Sequence, residues 1–210
     1  MWLVYELCPG KPMSELLFTV KGEFFKGERI YQVQHSGFYR ALRQNLNLLK
    51  EFLLRMCQAL ELFARLGIVH ADLKPDNLIV EYDPAHQTIT SFKIIDLGSS
   101  FMLTPEGFKV DNQQEFSSST PEYLPPEIQQ FMARRFTNEK NISVQDFAEV
   151  PHVFDVWSLA SILVEVLSGF PLWLSLKSRV ETTSQRHSIV NVGLFGVAGR
   201  DHSKILQKQM

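Results

Sequence analysis

The stretch HADLKPDN, residues 70–77, brings one His, two Asp, one Lys and one Asn within eight positions. Phosphoryl transfer requires oxygen ligands that hold Mg²⁺, a base that orients the nucleophile, and positive charge beside the phosphate. Asp72, Lys74 and Asn77 supply a base, a cation and a metal-binding amide oxygen within this one segment. Asp96 follows in the run IIDLGSS and offers a second carboxylate. These residue types predict a magnesium-dependent phosphoryl-transfer site.

The composition of the chain favours an intracellular globular protein. Of its 210 residues, 45% are apolar and 21% are charged, which is typical of folded domains and sufficient for a sizeable core. The net charge of -2, with acidic and basic residues interspersed, argues against a nucleic-acid partner. Cys8 and Cys57 form neither a disulfide framework nor a CxxC metal pair, so a reducing cytoplasmic or nuclear compartment is expected.

The most apolar stretch, residues 155–176, is long enough to resemble a membrane span, which needs about 20 mainly apolar residues. It contains Asp155, Glu165 and Pro171, however, and no secretory signal is evident at the start of the chain. We therefore interpret residues 155–168 as a buried core helix and expect no membrane contact.

A second long helix is predicted from periodicity. Apolar residues recur at steps of three and four, which is one stripe of an α-helix; the stripe consists of Leu46, Leu49, Leu53, Met56, Leu60 and Phe63. Gly67 is a typical residue just past the end of such a helix. A coiled-coil seam is the alternative, but the stripe spans three heptads or fewer, which favours a core helix.

Short strands and connections account for much of the remaining chain. Residues 1–7 are predicted to form a buried strand, and residues 12–20 a short helix. Residues 78–82 and 91–96 are predicted to pair as a β-hairpin. Residues 20–45 have mixed polarity and no clear period, so we interpret them as a long connection.

Five segments in a fixed order resemble motifs of the eukaryotic protein kinase superfamily. HADLKPDN is similar to the catalytic-loop pattern H-R-D-L-x-x-x-N, and DLG at 96–98 is similar to D-F-G. STPEYLPPE at 119–127 resembles the end of an activation segment. DVWSLA at 155–160 resembles the start of the large helix of the C-terminal lobe, and LVYELCPG at 3–10 the last N-lobe strand and the hinge. One motif alone would be weak evidence; five in order are specific.

The resemblance implies a fold and a domain organisation. The expected fold is α+β and mostly α: the C-terminal lobe of a protein-kinase-like domain with the hinge strand and small β-hairpins. Residues 1–10 would form the last N-lobe strand and the hinge, and residues 11–176 the C-lobe. Residues 177–210 are a tail to which no part of the family is assigned.

The resemblance also implies chemical roles, carried over position by position. Asp72 would be the catalytic base for the substrate hydroxyl, and Lys74 would steady the transferring phosphate. Asn77 and Asp96 would bind Mg²⁺ and, with it, ATP.

Further residues would bind adenine or position these groups. Backbone groups of Glu6 and Cys8 in the hinge would hydrogen-bond the adenine of ATP. Thr120 would tie the substrate-binding loop to the catalytic Asp and Lys. Asp155 would accept backbone N–H groups of the catalytic loop, and His70 would pack against the Asp-x-Gly motif. The lysine two positions after the catalytic Asp is similar to Ser/Thr-type rather than Tyr-type kinases.

Two departures from the family pattern bear on activity. Ala71 stands where the family has an arginine that commonly pairs with a phosphorylated activation loop, so control by such phosphorylation is in doubt. No G-x-G-x-x-G loop and no V-A-I-K-type lysine occur in residues 1–210, although these parts cover and position the phosphates of ATP.

Two functions are therefore considered. The first is a Ser/Thr protein kinase that transfers phosphate from Mg·ATP to protein hydroxyls in its full-length form, with this chain as a truncated form. The alternative is a catalytically inactive, pseudokinase-like interaction or scaffold module. The expected partner is a protein substrate or a regulatory protein in either case.

Overall fold

The computed structural model describes residues 7–25, 28–102, 119–129 and 153–176, with only the backbone described for residues 23–25, 28–31, 153, 175 and 176. Helices pack against small antiparallel sheets in these ranges, so the expected α+β fold is confirmed. The predicted strand at residues 1–7 lies almost wholly outside the described residues, and the predicted tail at 177–210 lies wholly outside them.

The described elements follow one another in a simple order. They are β1 (Lys11–Pro12), α1 (Met13–Leu17), β2 (Phe18–Phe25), β3 (Glu28–His35), α2 (Gly37–Gln44), α3 (Leu46–Arg65), β4 (Ile68–Val69), β5 (Leu78–Asp83), β6 (Thr88–Ile94), β7 (Phe101–Met102), α4 (Val153–Ser168) and α5 (Leu172–Leu176). Three 3-10 turns lie between them, at Pro75–Asn77, Leu97–Ser99 and Pro121–Tyr123.

The strands form three antiparallel sheets within the described residues: β1–β5–β6, β2–β3 and β4–β7. The predicted hairpin of residues 78–82 and 91–96 is confirmed as β5–β6, although β6 begins earlier, at Thr88. The backbone at Gly10, directly before β1, lies very close to β5: a Cβ on Gly10 would be 2.5 Å from the carbonyl carbon of Val80. Gly10 also has a φ of 108°, so glycine is required at this turn.

Helix α3 is confirmed, but its predicted core face is only partly right. Its fully buried side chains are Leu48, Phe52 and Met56, and Leu49, Leu53 and Leu60 flank them in partly buried positions. Leu46 is 62% exposed because it is the first residue of the helix, directly after the cap Asn45. The helix ends before Gly67, which has a φ of 66°, as predicted.

Helix α4 is confirmed: it begins two residues earlier than predicted and ends at Ser168, before Gly169 (φ 79°). It is buried on one face only, since Val156, Val164 and Leu167 are more than half exposed. Ile162 and Val166 are fully buried in the core that α4 shares with α1, α2 and α3. No helix among the described residues is long and apolar enough to cross a membrane.

The prediction of a long connection at residues 20–45 is wrong. The segment contains most of β2, all of β3 and helix α2, which is capped at Ser36, where the Ser36 Oγ accepts a hydrogen bond from Tyr39 N at 3.0 Å. Alternation along β2 and β3 is hard to recognise because Gly22 interrupts it and polar residues occupy eight of the sixteen strand positions. Tertiary contacts stabilise the base of the hairpin: Phe18 is buried, and Val20 and Val33 pack against the core.

Candidate active site

The catalytic-loop segment, residues 70–77, connects β4 to β5 and is hydrogen-bonded to helix α4. The two carboxylate oxygens of Asp155 accept hydrogen bonds from His70 N at 2.8 Å and from Ala71 N at 3.0 Å. Asp155 is 4% exposed and lies in the first turn of α4, where the helix dipole favours a negative charge. Ala71 adopts a φ of 64°, a conformation that these two bonds help to hold. The expected role of Asp155 is confirmed.

His70 is fully buried, and both ring nitrogens have partners. Nε2 lies 3.0 Å from the carbonyl oxygen of Ile95, which can only accept, so Nε2 carries the hydrogen. Nδ1 then accepts a hydrogen bond from Asp72 N at 3.3 Å. The ring also packs against Phe63, at 5.9 Å between ring centroids. A neutral His70 therefore links the catalytic loop to the residue that precedes Asp96, as expected of a packing residue.

Asp72, Lys74 and Thr120 form a closed network. The Lys74 Nζ donates to Asp72 Oδ2 at 2.8 Å and to Thr120 Oγ1 at 2.7 Å, and Thr120 N donates to Asp72 Oδ1 at 2.8 Å. The Asp72 and Lys74 side chains are 4% and 15% exposed, so water screens this ion pair weakly. The structure thus brings together three predicted site residues that lie up to 48 positions apart.

Asn77 is oriented by the same network. Its Nδ2 donates to the carbonyl oxygen of Asp72 at 2.8 Å and to Asp72 Oδ2 at 3.2 Å. Both hydrogen bonds of this side chain within the described part of the chain use Nδ2, which leaves Oδ1 available as a metal ligand. The carbonyl oxygen of Asn77 also accepts a bond from Ile95 N at 3.0 Å, which extends the β5–β6 ladder towards Asp96.

Asp96 begins the DLG turn in a left-handed conformation, with a φ of 65°. Its Oδ1 accepts a hydrogen bond from Gly98 N at 3.2 Å, and the residue is exposed. Carboxylate and amide oxygens suit Mg²⁺, which usually takes one or two protein oxygens and completes its shell with water and phosphate. No cluster of three or more His, Cys, Asp or Glu ligands is found among the described residues. Asn77 Oδ1 and the Asp96 carboxylate are oxygen donors of the kind that Mg²⁺ prefers.

Of the two predicted adenine-binding residues, Cys8 lies among the described residues and Glu6 does not. Cys8 is a half-buried free thiol just before β1. Glu6 lies outside the described residues. The role of the hinge in binding adenine therefore stays a prediction.

Helix α4 also holds the segment that carries Thr120, through contacts that the sequence did not reveal. Ser158 Oγ donates to the carbonyl oxygen of Tyr123 at 2.9 Å, and Tyr123 OH donates to Glu165 Oε2 at 2.7 Å. Leu172 N donates to Glu165 Oε1 at 3.2 Å. The available signal was Glu165 at a buried position of a mainly apolar helix, since a buried charged residue is rare unless it has partners.

The pKa values of this buried pair are strongly perturbed. Burial raises the pKa of Glu165 from 4.5 to about 7, and the nearby charges of Asp76 and Glu122 act in the same direction. Burial and the neighbouring Glu165 also raise the pKa of Tyr123 well above its usual value. Tyr123 therefore stays a donor over the physiological range, whereas Glu165 changes charge near neutrality.

A family model described as "Protein kinase domain" matches residues 1–207. The chain belongs to the protein kinase family. The kinase motifs of the sequence are thus supported over almost the whole chain, and the α+β fold is that of a kinase-like lobe.

Two curated relatives of this chain are named as serine/threonine-protein kinases. A probable serine/threonine-protein kinase dyrk2 of Dictyostelium discoideum is 31% identical over 130 residues, which are 61% of this chain and 11% of that protein. The serine/threonine-protein kinase YPK2/YKR2 of Saccharomyces cerevisiae is 25% identical over 157 residues, which are 75% of this chain and 19% of that protein. The matched region is thus less than a fifth of either relative.

Among solved structures, the yeast RNA Pol II CTD kinase CTDK-1 complex contains a similar chain. The identity is 16% and the TM-score is 0.42, with 78% of this chain and 50% of that chain covered.

Proposed function

We propose that this chain is the catalytic-loop part of a Ser/Thr protein kinase, which in its full-length form transfers the γ-phosphoryl group of ATP to hydroxyl groups of proteins. The network in which Lys74 bonds both Asp72 and Thr120 carries the proposal. A scaffold has no need to hold a carboxylate, an ammonium group and a hydroxyl within hydrogen-bond reach of one another.

Asp72 would orient the substrate hydroxyl and accept its proton. Lys74 would place positive charge beside the transferring phosphate, where negative charge is spread over the equatorial oxygens. Because the ammonium group also bonds Asp72 and Thr120, its position is fixed before substrate arrives. Thr120 would connect the substrate-binding segment to this pair.

Asn77 and Asp96 would hold Mg²⁺ through Oδ1 of the amide and through the carboxylate. When bound, the ion would neutralise charge on the ATP phosphates. Backbone groups of Glu6 and Cys8 would bind adenine. The domain division remains part of this proposal, with the hinge at 1–10, the C-lobe at 11–176 and the tail at 177–210.

The proposal includes a protein partner, either a substrate or a regulatory protein, and an intracellular location in the cytoplasm or nucleus. The net charge of -2 supports a protein rather than a nucleic acid as partner. Cys8 and Cys57 are free thiols, which suits a reducing compartment.

Phosphate incorporation into a generic Ser/Thr protein substrate tests the proposal. The 210-residue chain is compared with the same chain preceded by the N-lobe of a Ser/Thr kinase relative, which supplies a Gly-rich loop and a strand lysine. We expect transfer in the second form and its loss, by at least about a hundred-fold, in Asp96→Ala, because a metal ligand is removed. Asp83→Ala is the matched control, since Asp83 lies at the tip of the β5–β6 hairpin.

The alternative, a pseudokinase-like interaction or scaffold module, is favoured by Ala71. This fully buried alanine stands where the family has an arginine. An active kinase site should be stabilised by Mg·ATP, by about 2.7 kcal/mol at one hundred times the dissociation constant. Absence of both transfer and Mg·ATP stabilisation in both forms would favour the interaction module.

A further inference from the structure

Helices α4 and α5 are joined by a turn that is hydrogen-bonded to Glu165 on both sides. Gly169 N donates to the carbonyl oxygen of Glu165 at 3.0 Å, and Leu172 N donates to the Glu165 carboxylate at 3.2 Å. The backbone and the side chain of one residue thus accept bonds from the first and the last part of the turn. These bonds fix the position of the Glu165 carboxylate relative to Gly169.

The base of hairpin β2–β3 contacts this turn at Gly169. His35 is the last residue of β3, and its Nε2 lies 2.9 Å from the carbonyl oxygen of Gly169. A carbonyl oxygen can only accept a hydrogen bond, so Nε2 carries the hydrogen and donates it. The bond joins two elements whose residues are 134 positions apart in the sequence.

The contact between His35 and Gly169 is closely packed. A Cβ on Gly169 would lie 2.7 Å from Tyr39 Oη and 3.1 Å from His35 Nε2. The His35 ring stacks on the buried ring of Tyr39, with centroids 4.3 Å apart, and lies 5.9 Å from the ring of Phe18. Because side chains packed this closely cannot shift alone without a clash or a gap, the turn and His35 hold each other in place.

The same turn is bonded, through Glu165, to the segment that carries Thr120. The Glu165 carboxylate accepts a hydrogen bond from the Tyr123 hydroxyl at 2.7 Å, and Tyr123 N donates to the carbonyl oxygen of Thr120 at 3.1 Å. The Thr120 hydroxyl in turn accepts from Lys74 Nζ at 2.7 Å. A continuous series of hydrogen bonds therefore leads from the base of the hairpin, through the turn, to the Lys74 ammonium group.

We propose that His35 is a positioning residue for phosphoryl transfer: by fixing the turn between α4 and α5, it holds Thr120, and through Thr120 the Lys74 ammonium group, in place for the reaction. This role depends on the kinase function proposed above. His35 acts through Gly169 and Glu165 and not by contact with substrate. Side chains that act through such packed and hydrogen-bonded networks typically change a coupled equilibrium by about two- to thirty-fold.

Amide hydrogen exchange of the 210-residue chain, without nucleotide, tests this coupling independently of activity. His35→Leu removes the N–H donor, so exchange in residues 119–124 should become at least about five-fold faster, while exchange in β5–β6 stays within about two-fold. His35→Gln places an amide N–H at a similar reach and should return exchange in residues 119–124 to within about two-fold of the wild type. Gln34→Leu, the same change at the neighbouring exposed position of β3, is the matched control and should leave both regions unchanged.

A double variant shows whether the effect passes through Tyr123. In Tyr123→Phe the bond to Glu165 is already lost, so adding His35→Leu should change exchange in residues 119–124 by less than about two-fold. An equal effect of His35→Leu with and without Tyr123→Phe would mean that His35 only stabilises the fold, and would overturn the proposal. So would unchanged exchange in residues 119–124 of His35→Leu, or an equal increase there and in β5–β6.

Steady-state transfer in the form that carries an N-lobe measures the consequence for catalysis, with the protein substrate and Mg·ATP varied in turn. We expect His35→Leu to raise the KM for the protein substrate about five-fold and to leave the KM for Mg·ATP within about two-fold, since Asn77 and Asp96 lie outside this series of hydrogen bonds. A loss of folded protein would instead lower kcat and leave both KM values unchanged, which would contradict a positioning role.

The two proposals fail in different ways. Absence of transfer in the wild-type form with an N-lobe would refute the kinase function, and with it the role of His35 in transfer. Intact transfer by the wild type, together with an unchanged KM for the protein substrate in His35→Leu, would refute the role of His35 alone.

Discussion

Helix α4 carries two buried carboxylates near its opposite ends, and their surroundings differ. Asp155 and Glu165 are both 4% exposed. Asp155 lies in the first turn and accepts two backbone N–H groups of the catalytic loop. Glu165 lies near the end of the helix and accepts one phenolic O–H and one backbone N–H. The same helix therefore holds the loop through one acid and the Thr120 segment through the other.

The difference shows how the donors and the position on the helix decide what a buried acid does. Near a helix N-terminus, two N–H donors compensate a buried negative charge. Near the C-terminus of a helix, the dipole disfavours a buried negative charge. Burial raises the pKa of Glu165 to about 7, and the charges of Asp76 and Glu122 act in the same direction. We infer that Asp155 is a constant anchor of the catalytic loop, whereas Glu165 is an anchor whose strength depends on pH.

The largest loss of stability is expected from Asp155→Ala, at the end of α4 that holds the catalytic loop. This change leaves the N–H groups of His70 and Ala71 without their acceptors in a buried site, so stability should fall by roughly 3 kcal/mol. Phosphoryl transfer in the form that carries an N-lobe should fall at least about a hundred-fold, because the loop loses its position. Urea unfolding and a transfer assay measure the two effects. An activity loss without a stability loss would argue against an anchoring role.

The second-largest effect is the pH dependence of the unfolding free energy that Glu165 creates. Its pKa rises from 4.5 in the unfolded chain to about 7 in the folded chain, so the folded state binds this proton more tightly. Its stabilising contribution is complete below pH 4.5 and is lost as the pH rises through 7. Between pH 5 and 8 the wild type should lose about 2–3 kcal/mol relative to Glu165→Gln. Parallel pH profiles of the two proteins in urea unfolding would contradict this.

Tyr123→Phe tests the same end of the helix by removing the donor instead of the acid. The lost hydrogen bond, 2.7 Å long, should cost about 2 kcal/mol at pH 8, where Glu165 is ionised, and about 1 kcal/mol at pH 5. Thermal unfolding at both pH values measures the difference. An equal cost at both pH values would mean that Glu165 does not change its charge between them.

The smallest stability effect is expected at Thr120, which both ends of α4 help to position. Thr120→Val removes the hydroxyl that Lys74 contacts at 2.7 Å, so stability should fall by about 1 kcal/mol. Phosphoryl transfer should fall by about ten-fold as Lys74 loses one of its two partners. Thr120→Ser keeps the hydroxyl and should restore most of the activity. Failure of serine to rescue would show that the methyl group matters, not the hydroxyl.

The catalytic loop and both long helices were predictable because their signals are local. Asp72, Lys74 and Asn77 fall within one motif, and the 3.6-residue period marks α3 over five turns. For the helices and the loop, residue type and spacing carry the information directly. The bond from Lys74 to Thr120 spans 46 positions and was expected only because the resemblance to protein kinases implied it.

Two features were not predictable because they depend on tertiary contacts. Hairpin β2–β3 has polar residues at eight of its sixteen strand positions, and its stability comes from Phe18, Val20 and Val33 at the core. Glu165 is bonded by Tyr123 and Leu172, which come from separate elements, so sequence spacing could not indicate these partners.

The most direct test of the central claim separates the rate of transfer from the binding of ATP in Asp72→Asn. The measurement is single-turnover phosphoryl transfer alongside Mg·ATP affinity, in the form of the protein that carries an N-lobe. If Asp72 is the base in a preformed site, the transfer rate should fall at least about a hundred-fold, while the affinity for Mg·ATP stays within about two-fold. A rate within about three-fold of the wild type, or a parallel loss of Mg·ATP binding, would contradict the account.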